Sequence, residues 1–185
     1  TPAFVRHEAQ VNVPALCAQL DIARFVAFGH SVGGAMAVET AAACGERCTA
    51  LVTESAQTFA EDRTLAGIRA AKAQFAEPGQ LERLARYHGD KARWVLDAWT
   101  ETWLSPAFAN WSVHAALPAV RCPVLAIHGA DDEYGSLVHP RRIAQSVAGP
   151  AEMLLLPGCG HVPHREQPQP VLAALARFLS PDQKS

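Results

Sequence analysis

Ser31 stands in the run Gly29-His30-Ser31-Val32-Gly33-Gly34, where one hydroxyl is bracketed by the smallest residues available. A serine hydroxyl is a weak nucleophile. It becomes an effective one when an imidazole takes its proton and a carboxylate orients that imidazole. Both partner types follow later in the chain, each just after an apolar run: "IHGADDEYG" (127–135) holds Asp131 and Asp132, and "LPGCGHVPHREQP" (156–168) holds His161. Brought together, these groups would perform acyl transfer. Ser31 would attack a carbonyl, His161 would move the proton, and one of the two aspartates would hold the ring. Neighbouring side chains have plainer readings. His161 and His164 lack a third ligand at the fixed spacing of a metal site, so no metal is expected. Cys159 reads as packing, with thiol sensitivity beside His161 as the alternative.

Such a constellation needs rigid elements beneath it. "RFVAF" (24–28), "CTALVTES" (48–55), "CPVLAIHG" (122–129) and "AEMLLLPG" (151–158) are short apolar runs of the buried-strand kind. Helices fit around them. Residues 3 to about 20 form one, with Val5, Leu16 and Leu20 inside and Glu8, Gln10 and Gln19 outside. A second carries Met36, Thr40 and Cys44 on one face and closes at Gly45; two more span 138–148 and 169–179, the last with Leu172, Leu175 and Leu179 inward. Strand and helix in alternation predict a parallel sheet covered on both faces. In that frame Ser31 tips a strand-to-helix turn, with Gly29 and Gly33 supplying the room its crowded backbone needs. The turn lifts the hydroxyl out at the carboxyl end of a strand, where parallel sheets bind ligands. It also sets the Val32 N–H at a helix N-terminus, where a developing oxyanion is stabilised.

Residues 56 to about 118 break this rhythm. They contain no strand candidate but hold all four tryptophans, with helical periodicity over 64–75, 79–88 and 90–104. This reads as a helical insertion between two strands, inside which Trp99 and Trp103, spaced i and i+4, pack together.

Composition excludes several classes. The chain has 185 residues, 49% hydrophobic and 18% charged, with net charge −2 and one basic doublet, Arg141-Arg142. That is a single-domain profile without the electrostatic footprint of a nucleic-acid binder or an anionic-membrane binder. No apolar run reaches membrane-spanning length, and the first thirty residues lack a signal-peptide pattern. The five cysteines (17, 44, 48, 122 and 159) form no C-x-x-C pair and are odd in number, which favours reduced thiols and a cytoplasmic setting. Cys44 and Cys48 read as ordinary small residues at a helix end and a strand start.

The motifs resemble the α/β-hydrolase superfamily, in its capped, esterase-like and carbon–carbon-hydrolase-like members: G-H-S-x-G-G at 29–34, G-x-x-D at 129–132 and G-H-x-x-x-x-E-x-P at 160–168. The resemblance covers essentially the whole chain. It implies an α/β fold, the carboxyl-terminal portion of the hydrolase architecture, with a core from 1–55 and 119–185 and a helical cap over 56–118. It gives the acid role to Asp132, the fourth position of G-x-x-D, and leaves Asp131 as a solvated neighbour. Serine at the elbow sets the chain apart from the dehalogenase and epoxide-hydrolase branches.

The implied activity is cofactor-free serine hydrolysis of a small carboxylic ester or thioester with an apolar acyl part. Hydrolysis of a carbon–carbon bond in a vinylogous diketone is the alternative within the enzyme class, and a ligand receptor on a hydrolase scaffold is the alternative outside it. His30, Glu54, Trp103 and Tyr134 are candidate substrate-binding side chains, although a solvent-facing Glu54 is the simpler reading. The expected partner is a small-molecule substrate, with neither nucleic acid nor membrane. The full fold places four strands ahead of the helix that leads to the elbow, roughly 80–100 residues, including an H-G turn with the second oxyanion donor. His88-Gly89 and His128-Gly129 sit in the wrong places to replace it. Strand 24–28 is therefore expected to be an apolar edge, covered by a second copy or by an amino-terminal segment.

Overall fold

The four apolar runs become four parallel strands in the computed structural model, which describes residues 3–180. Residues 1–2 and 181–185, the outer ends of the expected core, lie outside the described residues. In chain order the elements are α1 (Phe4–His7), a π-helical turn (Glu8–Asn12), α2 (Val13–Gln19), β1 (Phe25–His30), α3 (Val32–Cys44) and β2 (Cys48–Glu54). Then come α4 (Asp62–Phe75), α5 (Gln80–His88) and α6 (Ala92–Leu104), followed by β3 (Val124–Gly129), α7 (Val138–Ser146), β4 (Ala151–Leu156), α8 (Pro163–Glu166) and α9 (Pro168–Leu179). The sheet order β1-β2-β3-β4 follows the chain, so every strand's carboxyl end opens on the same edge.

Side-chain alternation divides the core into two layers. Ala27, Leu51, Val124 and Ala126 pack under α3 and α7 on one face, with Val5, Val38 and Ile143 in the same cluster. Val52, Leu125, Ile127 and Leu156 pack under α9 on the other, against Val171 and Ala174. β3 is buried along its whole length, as a central parallel strand must be.

Two helix faces differ from the sequence expectation. Leu16 and Leu20 are exposed, while Ala9 and Cys17 join Val5 inside. The π turn supplies the reason: one extra residue in the turn rotates the following helix, so the inward position moves from 16 to 17. In α9 the buried stripe is Val171 and Ala174, flanked by Leu175 and Phe178, whereas Leu172 and Leu179 face outward. The small Ala174 lets the helix approach the sheet, and the larger leucines fall on its flank.

The 56–118 segment does form three helices, but its return stretch belongs to the core. An antiparallel bridge pairs Phe59 with Ser112, and Val113 N–H donates to the Thr58 carbonyl at 3.0 Å, closing the base of the excursion. Trp103, Phe108 and Trp111 stack with ring centroids 4.7–5.3 Å apart, in the same cluster as α3. Trp94 is left exposed. β1 ends the sheet among the described residues, and Val26 and Phe28 are 42% and 53% exposed there, as an apolar edge would be. No helix of the described residues is long and apolar enough to cross a membrane.

Beside β3 a fully buried imidazole makes stability depend on pH. His139 Nδ1 accepts the Thr58 N–H at 3.1 Å, so its other nitrogen carries the proton and donates to Glu61 at 3.0 Å. Burial pulls this histidine down from 6.5 to about 4, with Glu61 opposing the shift. The unfolded chain therefore binds a proton that the folded one refuses, and stability falls as pH drops from 6.5 towards 4. That gap is worth on the order of 3 kcal/mol. Thermal melts between pH 7 and pH 4.5 should show a falling midpoint, and His139→Gln should flatten it. A midpoint with the same slope in that variant would remove His139 from the explanation.

Candidate active site

The turn after β1 is tight because backbone meets backbone. A Cβ on Gly29 would collide with the Gly33 carbonyl, and one on Gly34 with the Ala56 side chain. Gly33 itself has open space beside it, so the required pair is Gly29 and Gly34 rather than Gly29 and Gly33. Ser31 takes φ 56° and ψ −128°, a conformation that side chains rarely adopt. Its N–H is anchored on the Glu54 carbonyl at 2.9 Å. Val32 opens α3, so its N–H is among those that a helix start leaves without an intrahelical partner.

Ser31, His161 and Asp132 are brought into one hydrogen-bonded line. The Ser31 hydroxyl lies 3.0 Å from His161 Nε2, and His161 Nδ1 lies 2.9 Å from both Asp132 carboxylate oxygens. The carboxylate fixes the tautomer: Nδ1 carries the proton and Nε2 is free to accept one. Asp132 is fully buried, while Asp131 is exposed, so the geometry separates the two aspartates that the sequence left adjacent. Burial opposes ionisation of Asp132. The His161 hydrogen bond and charge, the Tyr134 N–H (2.7 Å) and His128 (3.4 Å) outweigh that and hold its carboxyl below the ordinary range.

The loop carrying His161 is clamped at several points. Glu166 accepts the Gly160 and Val162 N–H groups at 2.6 and 2.9 Å, which holds its own carboxyl low. His30 Nε2 donates to the His161 carbonyl at 2.8 Å, and burial lowers the pKa of this imidazole. Glu54 is 0% exposed and accepts both the His164 N–H (2.8 Å) and its ring Nδ1–H (2.7 Å). Two expectations are corrected here. Glu54 faces neither solvent nor pocket, and His30 bonds the backbone of His161 instead of lining the cavity. A buried carboxylate at a strand end must find donors, and the neighbouring loop supplies them.

A cavity of about 330 Å³ opens over Ser31 and His161. Larger clefts exist elsewhere, but they contain neither residue. Tyr134 and Trp103 line this cavity, and the Tyr134 ring sits 4.7 Å from that of His161. Trp99 lines it too and also contacts Tyr134, so its packing reaches beyond the helical segment. Ile68 and Phe75 of α4 add apolar wall. Sequence reasoning missed Gln57, which is 2% exposed and places its carboxamide oxygen 3.4 Å from the Ser31 hydroxyl. It lies just past β2 in no motif, and only its nearness to a strand's carboxyl end could have flagged it. Among the described residues no group of three or more His, Cys, Asp or Glu converges as a metal site would.

Comparison with known proteins agrees with this architecture. A nematode relative, the alpha/beta hydrolase domain-containing protein aho-3 of Caenorhabditis elegans, is 39% identical over 62 residues, which are 34% of this chain and 18% of that protein. A bacterial membrane phospholipase A described as a virulence factor superposes with TM-score 0.76 at 19% identity, over 95% of this chain and 62% of its own. A meta-cleavage product hydrolase from Pseudomonas fluorescens gives 0.68 at 19%, over 94% of this chain and 71% of its own. The chain thus spans less than two thirds of the nematode protein and of the phospholipase, and the likeness to the solved structures is one of fold. The sequence pattern of the alpha/beta hydrolase family itself matches residues 2–174, nearly the whole chain, and to that family this protein belongs.

Proposed function

We propose that the protein is a serine hydrolase that cleaves a small carboxylic ester or thioester through an acyl-enzyme. The observation that carries this reading is the unbroken line from the Ser31 hydroxyl through His161 to buried Asp132. Ser31 attacks the acyl carbonyl as His161 Nε2 takes its proton, and Asp132 stabilises the imidazolium. The Val32 N–H at the start of α3 supports the oxyanion. His161 returns the proton to the leaving group, then activates water to release the acid. Helices α4–α6 act as a cap over the cavity, whose Ile68, Phe75, Trp99 and Trp103 suit an apolar acyl group. No cofactor enters these steps.

Hydrolysis of short-chain aryl esters, absent in Ser31→Ala, tests the proposal. The same triad can serve carbon–carbon cleavage of a vinylogous diketone, so turnover of a ring-cleavage product without ester turnover would replace the ester reading. Covalent labelling without multiple turnover of either substrate would instead indicate a ligand receptor. The work of the protein requires a small-molecule substrate and neither nucleic acid nor membrane, in a cytoplasmic setting. The apolar β1 edge is covered, on this reading, by a second copy of this chain; a monodisperse monomer in light scattering would contradict that.

Glu54 should matter indirectly. Glu54→Ala removes the acceptor for two His164 donors and frees one side of the His161 loop. A displacement on the order of 1 Å at His161 costs about 10²-fold. We expect kcat to fall by about that factor with KM little changed, and Glu54→Gln, which keeps the N–H acceptor, to recover part of it. Equal activity in all three proteins would mean that the clamp does not position His161.

A further inference from the structure

At the amino-terminal ends of the strands, far from Ser31, a cleft of about 920 Å³ is lined by Arg24, Arg47, Arg121, Cys48 and Cys122. Cys48 begins β2, and Cys122 lies on the stretch returning from the helical segment into β3. These strands are neighbours: Leu51 pairs with Val124, and the Leu51 N–H donates to the Pro123 carbonyl at 2.9 Å. Each cysteine therefore lies two or three residues ahead of a shared ladder position; both line this one cleft and pack in the same cluster, and the Cys48 thiol donates to the Ala50 carbonyl at 3.3 Å. Both are free.

We infer that Cys48 and Cys122 form a reversible dithiol–disulfide couple, a modification site for a small hydroperoxide. Three features favour reaction here over the other thiols. The resolving thiol stands at the entry of the neighbouring strand, in the same cluster and cleft, which reduces the entropic cost of finding it. The cleft gives a small oxidant a path to the buried Cys48 sulfur. The neighbouring Cys122 thiol lowers the pKa of Cys48 against the effect of burial. Burial instead raises Cys44, and it lifts Cys159 to about 11.

The chemistry balances in two steps. The Cys48 thiolate attacks the hydroperoxide, the O–O bond breaks, and the departing oxygen takes a proton to leave as water or an alcohol. Cys48 is then a sulfenic acid, oxidised by two electrons. The Cys122 thiol displaces its hydroxyl as water, and an S–S bond joins β2 to the return stretch. A thiol reductant reverses the bond by exchange.

Hydrogen peroxide on the full chain at neutral pH, followed by alkylation and non-reducing peptide mapping, tests the inference. We expect one cross-linked pair, Cys48 with Cys122, reversed by a dithiol reductant. It should form at least about tenfold faster than oxidation of Cys17, Cys44 or Cys159. In Cys122→Ser the same treatment should leave Cys48 as a sulfenic acid that dimedone captures. Failure of that variant to fold leaves the wild-type map decisive. A map in which Cys48 and Cys122 stay reduced, or in which another thiol reacts first, would overturn the inference. Neither outcome depends on hydrolase activity.

Discussion

Turnover in Ser31→Ala should fall by about 10⁶-fold, and His161→Ala should lose nearly as much. Neither loss is a packing effect, because Ser31 is held by its backbone and only the hydroxyl points into the cavity. The double variant should be hardly worse than either single one. Nucleophile and base act as a unit, so once one is gone the other has nothing left to do. Michaelis constants should move little, since the apolar wall of Ile68, Phe75 and Trp99 is untouched. Initial rates on a short-chain aryl ester across the four proteins check this. Multiplicative losses in the double variant would mean that Ser31 and His161 act in separate steps.

Asp132→Asn should lower kcat by about 10⁴-fold, and Asp131→Asn should leave it within a few-fold. The asymmetry is geometric. Asp132 is buried with both oxygens on His161 Nδ1, whereas Asp131 is exposed and uses its N–H to bond the Cys159 carbonyl. An amide at 132 presents a donor where Nδ1–H now donates, which favours the tautomer with the proton on Nε2. That nitrogen then faces the Ser31 hydroxyl with a proton it should lack. The variant should regain activity at high pH, where alternative proton acceptors compete. Near-equal losses at 131 and 132 would detach the acid role from this carboxylate.

Much of this site was legible in the sequence because each triad member follows a strand, and a strand's end is a fixed place in a parallel sheet. Ser31, Asp132 and His161 needed only strand order to be brought together. Their supports were less legible. Glu54 and His164 are far apart in the chain, and no periodicity links a strand end to a loop beyond the last strand. Gln57 stands in no motif, and Cys48 and Cys122 are brought near each other only by the pairing of β2 with β3. The strands themselves emerged within one or two residues of expectation at most ends, since apolar runs fix them. The inward faces of α2 and α9 did not. There the outcome turned on a π turn and on the fit of Ala174 under the helix, and hydrophobicity alone pointed to the larger leucines.

The role proposed for Ser31 is that of a nucleophile activated by His161. A fluorophosphonate tests it without knowledge of the substrate, because it reacts only with an activated serine and stays attached. Peptide mapping after labelling should place the phosphonate on Ser31 alone, with the labelling rate falling at least about 10³-fold in His161→Ala. An unlabelled wild-type protein, label on a different residue, or an unchanged rate in His161→Ala would contradict it.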